Sequence, residues 1–257
     1  MAERLRLTIT HLYPELMNVY GDRGNILALA RRCEWRGIEV REEAATLGDR
    51  LNPGALDLVF FGGGQDREQE VVAPDLQVTK AEALREAAEA GVTMLLVCGG
   101  YQLLGKFFRT HTGTEIPGVG VLDAWTIAGP RRLIGNVVVR CDWDPQRRTL
   151  VGFENHSGQT FLGPACQPLG SVLVGGGNNG TDGQEGAIYR NVFGCYLHGS
   201  LLPKNPWFAD ELLRRALARR YGPEVTLAPL DDRLEVQAHD AVARRARQLR
   251  RVRSGAW

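Results

Sequence analysis

The sequence predicts an α/β fold: a mainly parallel central sheet flanked by helices, with a basic helix at the C-terminus. Three observations predict it. A run at Leu5–His11 that alternates like a strand, and short apolar runs at Leu56–Phe61 and Val92–Val97, are interleaved with segments of helical period. Two of these runs end on glycine turns, Gly62-Gly63-Gly64 and, after a single cysteine, Gly99-Gly100. Strand-like runs without polar alternation, separated by helices, are the pattern of a sheet buried on both faces.

The elements follow in order. Leu5 to His11 reads as a strand. Gly24-Asn25 opens a helix with Ile26, Leu29, Ala30 and Cys33 on one face, and Gly37 stops it. Ile38 to Val40 is a second strand, Leu56 to Phe61 a third. A helix from about Gln77 to Ala90 closes at Gly91, and Val92 to Val97 is the strand that delivers Cys98. The second half is richer in strands: Val119–Thr126, Gly135–Cys141, Leu150–Glu154, Ser171–Val174, Gly186–Tyr189 and Val192–Leu197, separated by Gly, Asn and Asp turns. Asn205-Pro206 is a helix start, with Phe208, Leu212, Leu213, Ala216 and Leu217 facing inward. Residues 223–239 read as an extended connector. Residues 240–253 read as a helix in which Arg244, Arg245, Arg247, Arg250, Arg251 and Arg253 surround a thin stripe of Val242, Ala246 and Leu249. The expected division is a principal domain at 1–222 and a connector with a basic helical tail at 223–257.

Composition narrows the function. A chain of 257 residues with 44% hydrophobic content can bury a full core. A net charge of +1 gives no global field toward nucleic acid or an acidic membrane. The apolar runs are far shorter than a membrane span, and the N-terminus carries no signal-peptide h-region, so a cytoplasmic protein is expected. Cys33, Cys98, Cys141, Cys166 and Cys195 are odd in number and show no C-x-x-C pair, which argues for free thiols and against a structural metal site. No G-x-x-x-x-G-K-[ST] motif is present, so no ATP site of the P-loop type is expected.

The chemistry-bearing segment is Met94-Leu95-Leu96-Val97-Cys98-Gly99-Gly100-Tyr101-Gln102. A buried strand that stops at a cysteine and turns through two glycines into a helix is the sequence form of a nucleophile elbow. Free N–H groups and the dipole at the helix start favour a thiolate there. A cysteine nucleophile needs a base. Of His11, His111, His156, His198 and His239, His198 is best placed, at the end of Val192–Leu197 and before Gly199. His156 is second, though a turn histidine bound to its own loop is the plainer reading.

These residues carry a resemblance. The elbow and the later Gly194-Cys195-Tyr196-Leu197-His198-Gly199 resemble the glutaminase domains of class I glutamine amidotransferases, in the cobyric-acid-synthase branch. Tyr20-Gly21-Asp22-Arg23-Gly24-Asn25, Gly62-Gly63-Gly64-Gln65-Asp66, Arg132-Leu133-Ile134-Gly135-Asn136, Gly152-Phe153-Glu154-Asn155-His156 and Gly176-Gly177-Asn178-Asn179-Gly180 narrow it to glutaminase subunits that serve a Mur-ligase-like synthetase in peptidoglycan synthesis. The likeness runs from about Leu7 to Leu217. It implies that Cys98 attacks the side-chain amide of glutamine and that His198 is acid and base. Arg132 is the position expected to hold the α-carboxylate, against the alternative of a surface arginine. Gln102 lines the pocket or caps the elbow helix. N–H groups of Gly99 and of the Gly63-Gly64 turn are the expected oxyanion donors. The resemblance further implies that ATP is used by the partner, which amidates the D-glutamate α-carboxylate of lipid II.

Two positions depart from the wider family pattern. Many class I glutaminases carry Glu two residues after the histidine, where this chain has Ser200, and Gly two residues before the cysteine, where it has Leu96. The expected source of the missing acid is the partner; Glu154 and Glu185 are the alternatives inside the chain. Three other readings remain at this stage: a glutaminase for another acceptor such as cobyrinate, a catalytically silent module on the same fold, and a cysteine hydrolase of the peptidase or chaperone kind.

Overall fold

A computed structural model describes residues 4–254. The chain begins with β1 (Arg6–Leu12), α1 (Arg23–Glu34), β2 (Glu39–Ala45) and β3 (Leu58–Phe61). Next come α2 (Asp66–Asp75), a short π-helical turn (Leu76–Lys80), α3 (Ala81–Glu89), β4 (Thr93–Val97) and α4 (Gly99–Leu104). The second half contains β5 (Phe107–Arg109), β6 (Glu115–Pro117), β7 (Ala124–Arg140), β8 (Thr149–Leu162), β9 (Gly170–Val174), β10 (Gln184–Glu185), β11 (Ala187–Tyr189) and β12 (Val192–Cys195). Helices α5 (Pro206–Tyr221) and α6 (Arg233–Ser254) end it.

Two sheets organise the described residues. The first runs β11-β12-β4-β3-β1-β2 and is parallel except for the β11–β12 pair. Its inner strands β3, β4 and β12 are buried at every position, which is why their sequences are apolar without alternation. Strand β2, Glu-Val-Arg-Glu-Glu-Ala-Ala, lies at the edge, where charge discourages pairing with another chain. The register sets Val97 beside Cys195 and Phe61 beside Leu96, so the elbow, the glycine turn after β3 and the His198 segment leave the same end of the sheet. Helices α1 and α5 pack together against this sheet through the inward faces read from the sequence.

The second sheet runs β10-β9-β7-β5-β6, with β8 paired to β7. Here the expectation of several short strands is corrected. Strands β7 and β8 form one long antiparallel ribbon, and the register shifts between Ala128 and Leu133. That irregularity is the bend carrying Gly129, Pro130, Arg131 and Arg132. Helix α2 is a further addition: its Asp-Arg-Glu-Gln start shows little apolar period, and its inner contacts come from Gln69, Val72 and Ala73.

The connector is also shorter than expected, because α6 already starts at Arg233. His239, read as part of the connector, lies inside α6 and hydrogen-bonds the Thr149 hydroxyl at 2.9 Å and the Lys204 carbonyl at 3.0 Å. The lead-in to α6 is tied down by Arg32, whose buried guanidinium binds Asp210 at 2.7 Å and Asp232 at 2.6 Å. Ala243 and Ala246 pack in a small core with Val138 and Val151. Asn205 starts α5 but does not cap it through its side chain; its amide clamps β8, accepting from the Val151 N–H at 2.9 Å and donating to the Val151 carbonyl at 2.8 Å. No helix among the described residues is long and apolar enough to cross a membrane.

Candidate active site

Cys98 occupies the elbow in a strained conformation, φ 51° and ψ −106°. A non-glycine residue held there costs roughly 1–3 kcal/mol and persists only where its surroundings over-determine it. The surroundings are the two glycines. A Cβ on Gly99 would lie 2.9 Å from the backbone nitrogen of Gly64, and a Cβ on Gly100 would lie 2.5 Å from the Phe61 carbonyl oxygen. The helix start is therefore pressed against the turn after β3, and the Gly100 N–H donates to the Gly62 carbonyl at 3.0 Å.

His198 is brought over this elbow by an isolated bridge to β8, in which His198 and Phe153 exchange both backbone hydrogen bonds, at 2.9 and 3.1 Å. Cys98 is the group that raises the imidazole most. On the other side, Nδ1 lies 3.3 Å from Oδ1 of Asp22, and both side chains are fully buried. Burial alone would pull the imidazole pKa down. The Cys98 thiolate and the Asp22 carboxylate outweigh that, and the net shift is upward. His198 is thus held toward the imidazolium.

Asp22 is a site residue that sequence reasoning missed, although its segment was singled out. The expected alternatives are engaged elsewhere. The Glu154 carboxylate accepts the N–H groups of Gly176 and Gly177 at 2.8 and 3.0 Å, and Glu185 accepts the N–H of Tyr196 at 2.6 Å. Gly63 is corrected too: its N–H donates to Oδ2 of Asp22 at 2.8 Å, so it serves the acid and is not available to an oxyanion. The Gly64 and Gly99 backbones remain adjacent beside the nucleophile. Met17 packs behind them, its sulfur within 2.3 Å of where a Gly64 Cβ would stand.

A cleft of about 490 Å³ opens on Cys98, bounded by Gly64, Gln102, Arg132, Asn155 and His156. Gln102 is buried and does line it. Its amide oxygen accepts from Gln69 at 2.9 Å and its nitrogen donates to the Tyr196 hydroxyl at 3.1 Å, which continues to Thr160 at 2.6 Å. Arg132 stands exposed on the rim, with Nε donating to Oδ1 of Asn155 at 2.7 Å. His156 lies flat on Tyr196, ring centroids 3.6 Å apart, and Nδ1 donates to the Gly158 carbonyl at 2.7 Å. Burial pushes its pKa down to about 4, so it is a neutral wall of the cleft, as the turn-histidine reading holds. A larger groove of about 980 Å³ lies between α6 and strands β7–β9; it reaches Arg132 but holds neither Cys98 nor His198.

A cysteine at a strained elbow, a buried histidine backed by a carboxylate and a neighbouring pair of backbone glycines are equipment for attack on a carbonyl carbon. Comparison with known families decides which kind. Residues 8–206 match the CobB/CobQ-like glutamine amidotransferase domain. The chain belongs to this family. It is a glutamine amidotransferase, with the mixed α/β fold described above. Among its relatives is a Streptococcus pneumoniae protein named lipid II isoglutaminyl synthase (glutamine-hydrolyzing) subunit GatD, 41% identical over 88% of this chain and 86% of that protein. The Staphylococcus aureus protein of the same name is 40% identical over 96% of this chain and 99% of its own length. In fold the chain is similar to the structure of PurLQS from Thermotoga maritima, with a TM-score of 0.58 at 17% identity, covering 84% of this chain and 98% of that one.

Proposed function

We propose that this chain is the glutamine-hydrolysing subunit of a lipid II isoglutaminyl synthase, acting in the cytoplasm with a Mur-ligase-like synthetase of the MurT type. The observation that carries the chemistry is Cys98 at its strained elbow, at the same end of the sheet as a buried His198 that Asp22 backs at 3.3 Å. The names of the two relatives, matched over most of their length, support the choice of acceptor.

In this reading L-glutamine lies in the Cys98 cleft with its α-carboxylate toward Arg132. The Cys98 sulfur attacks the side-chain amide carbon, and charge on the amide oxygen is met by the N–H groups of Gly99 and Gly64; one such donor is worth about 3 kcal/mol on precedent. His198 gives its proton to the departing nitrogen, ammonia leaves, and a thioester remains on Cys98. Water then loses a proton to His198 and attacks the thioester, releasing glutamate and restoring the thiolate and imidazolium. Gln102, held by Gln69 and Tyr196, shapes the wall against the glutamine side chain. ATP is used by the synthetase, which activates the D-glutamate α-carboxylate of lipid II for the ammonia.

The test is reconstitution. The chain and its synthetase, given glutamine, ATP and lipid II, are expected to release glutamate and amidated lipid II in equal amounts. Glutamate release without any amidated lipid II, alongside amidation of a different acceptor, would replace the acceptor and leave the glutaminase standing. A chloroketone analogue of glutamine is expected to label Cys98; an adduct on another cysteine would overturn the nucleophile.

A further inference from the structure

We infer that Asp22 is a positioning residue for both halves of the catalytic machinery: one carboxylate oxygen orients His198 and the other fixes the glycine turn beside the nucleophile. The inference rests on the glutaminase reading. The geometry is specific. Oδ1 lies 3.3 Å from Nδ1 of His198 and Oδ2 accepts the Gly63 N–H at 2.8 Å, in a place where the Asp22 side chain has no solvent exposure. A buried carboxylate is costly unless it is paired and hydrogen-bonded, and here the pairing is with the base.

The local sequence frees Asp22 for this work. It stands at the N-cap of α1, where an aspartate ordinarily bonds the helix's own N–H groups. Its side chain makes no such bond. Asn18 takes the duty, accepting the N–H of Arg23 at 2.8 Å, and so leaves the carboxylate turned toward the sheet. Ser200 completes the device. At the position where the wider family pattern carries an acid, Ser200 donates to the Gly21 carbonyl at 2.9 Å, and its Oγ sits 2.2 Å from where a Gly24 Cβ would be. The residue after the histidine loop therefore fastens the loop that delivers the acid.

With Asp22 on Nδ1, the imidazole keeps its proton there and presents Nε2 to the sulfur side, the tautomer that general-base work on the thioester requires. The imidazole also interacts with Cys98 and with neutral His156, and Lys204 donates to the carbonyl of the next residue, Gly199. None of the three offers a carboxylate to Nδ1.

The experiment compares wild type with Asp22→Asn and Asp22→Ala in the full chain, alone and with its synthetase. An asparagine in this place donates to Nδ1 and reverses the tautomer. The glutaminase kcat is expected to fall roughly 100- to 10,000-fold with KM changed less than about threefold. The alkaline limb of the rate is expected to move to lower pH, since the anion that favours the imidazolium is gone. Formate is expected to restore part of the Asp22→Ala rate. A kcat within threefold of wild type in the complex, with the alkaline limb unmoved, would overturn the role and hand it to an acid of the partner. Nitrogen-15 spectra of His198 decide independently of turnover. A hydrogen-bonded proton on Nδ1 is expected in the wild-type chain, and an imidazole that titrates identically in Asp22→Asn overturns the inference even if glutamine proves not to be the substrate. A wild-type pair that fails to hydrolyse glutamine while His198 behaves as expected would instead overturn the glutaminase reading.

Discussion

The end of the parallel sheet and the β7–β8 ribbon face each other across one cleft, and they are built in opposite ways. Cys98, His198 and Asp22 are buried, sit at the ends of packed strands or a helix start, and are held by several contacts each. Arg132 is exposed, sits in a register bend of a long ribbon, and rests its guanidinium on Asn155. Reacting atoms need fixed geometry in a dry, low-dielectric place, because misplacement by an ångström costs large factors in rate. A group that greets an incoming carboxylate gains from access to solvent. The difference predicts that changes at the sheet end strike kcat and changes on the ribbon strike KM.

The largest effect tests the sheet end. Cys98→Ser is expected to lower glutamine hydrolysis by at least about 10,000-fold while circular dichroism and melting stay near wild type. Serine at Cys33, Cys141 or Cys195 is expected to leave most activity, since burial raises all three thiols and keeps them inert. His198→Ala follows, expected to fall by roughly 1,000-fold or more in kcat. Thioester accumulation under mass spectrometry would show which half-reaction suffers more.

The pH profile comes next. Because Cys98 and Asp22 raise His198, its proton is retained through neutral pH and lost only above the ordinary histidine range. The rate is expected to hold from neutral into alkaline pH and decline only there. A decline centred near pH 6.5, the ordinary histidine value, would break the claim that the sheet end holds His198 as an imidazolium.

The ribbon effects are smaller. Arg132→Ala is expected to raise KM roughly 10- to 100-fold, as fits loss of hydrogen bonds to a charged group at an exposed site, with kcat changed little. A buried ion pair there would cost more. Asn155→Ala, which removes only the support of Arg132, is expected to raise KM a few-fold. An Arg132 change that lowers kcat and leaves KM alone would erase the division between the two regions. The smallest effect on turnover is expected in the α6 core: Ala246→Leu overpacks a small cluster, destabilising by about 1–3 kcal/mol, read as a lowered Tm with little change in glutamine hydrolysis.

Much of this site is legible in the sequence because its parts are local. A strand, a cysteine, two glycines and a helix are consecutive, so the elbow can be read without knowing what it touches. The same holds for His198 at the end of β12, for Gln102 on the elbow helix and for the inward faces of α1 and α5. The parallel order of the first half follows from unbroken apolar runs between helices. The ribbon was harder, since turn-forming residues at Gly129, Pro130 and Gly135 mark strand ends in one dimension but only a register shift once β8 is alongside. Helix α2 escaped because its polar face dominates and Pro74 sits inside it.

The sequence by itself determined the elbow, the sheet and the family, because each is written in neighbouring residues and in period. Only the tertiary structure decided what completes the base. Asp22 and His198 are 176 residues apart, and Asp22 meets Gly63 across 41. An aspartate at a helix start looks the same in sequence whether it caps that helix or turns away from it. Which it does depends on Asn18 taking the cap, on Ser200 fastening the loop, and on a buried imidazole offering the carboxylate a partner that water no longer supplies.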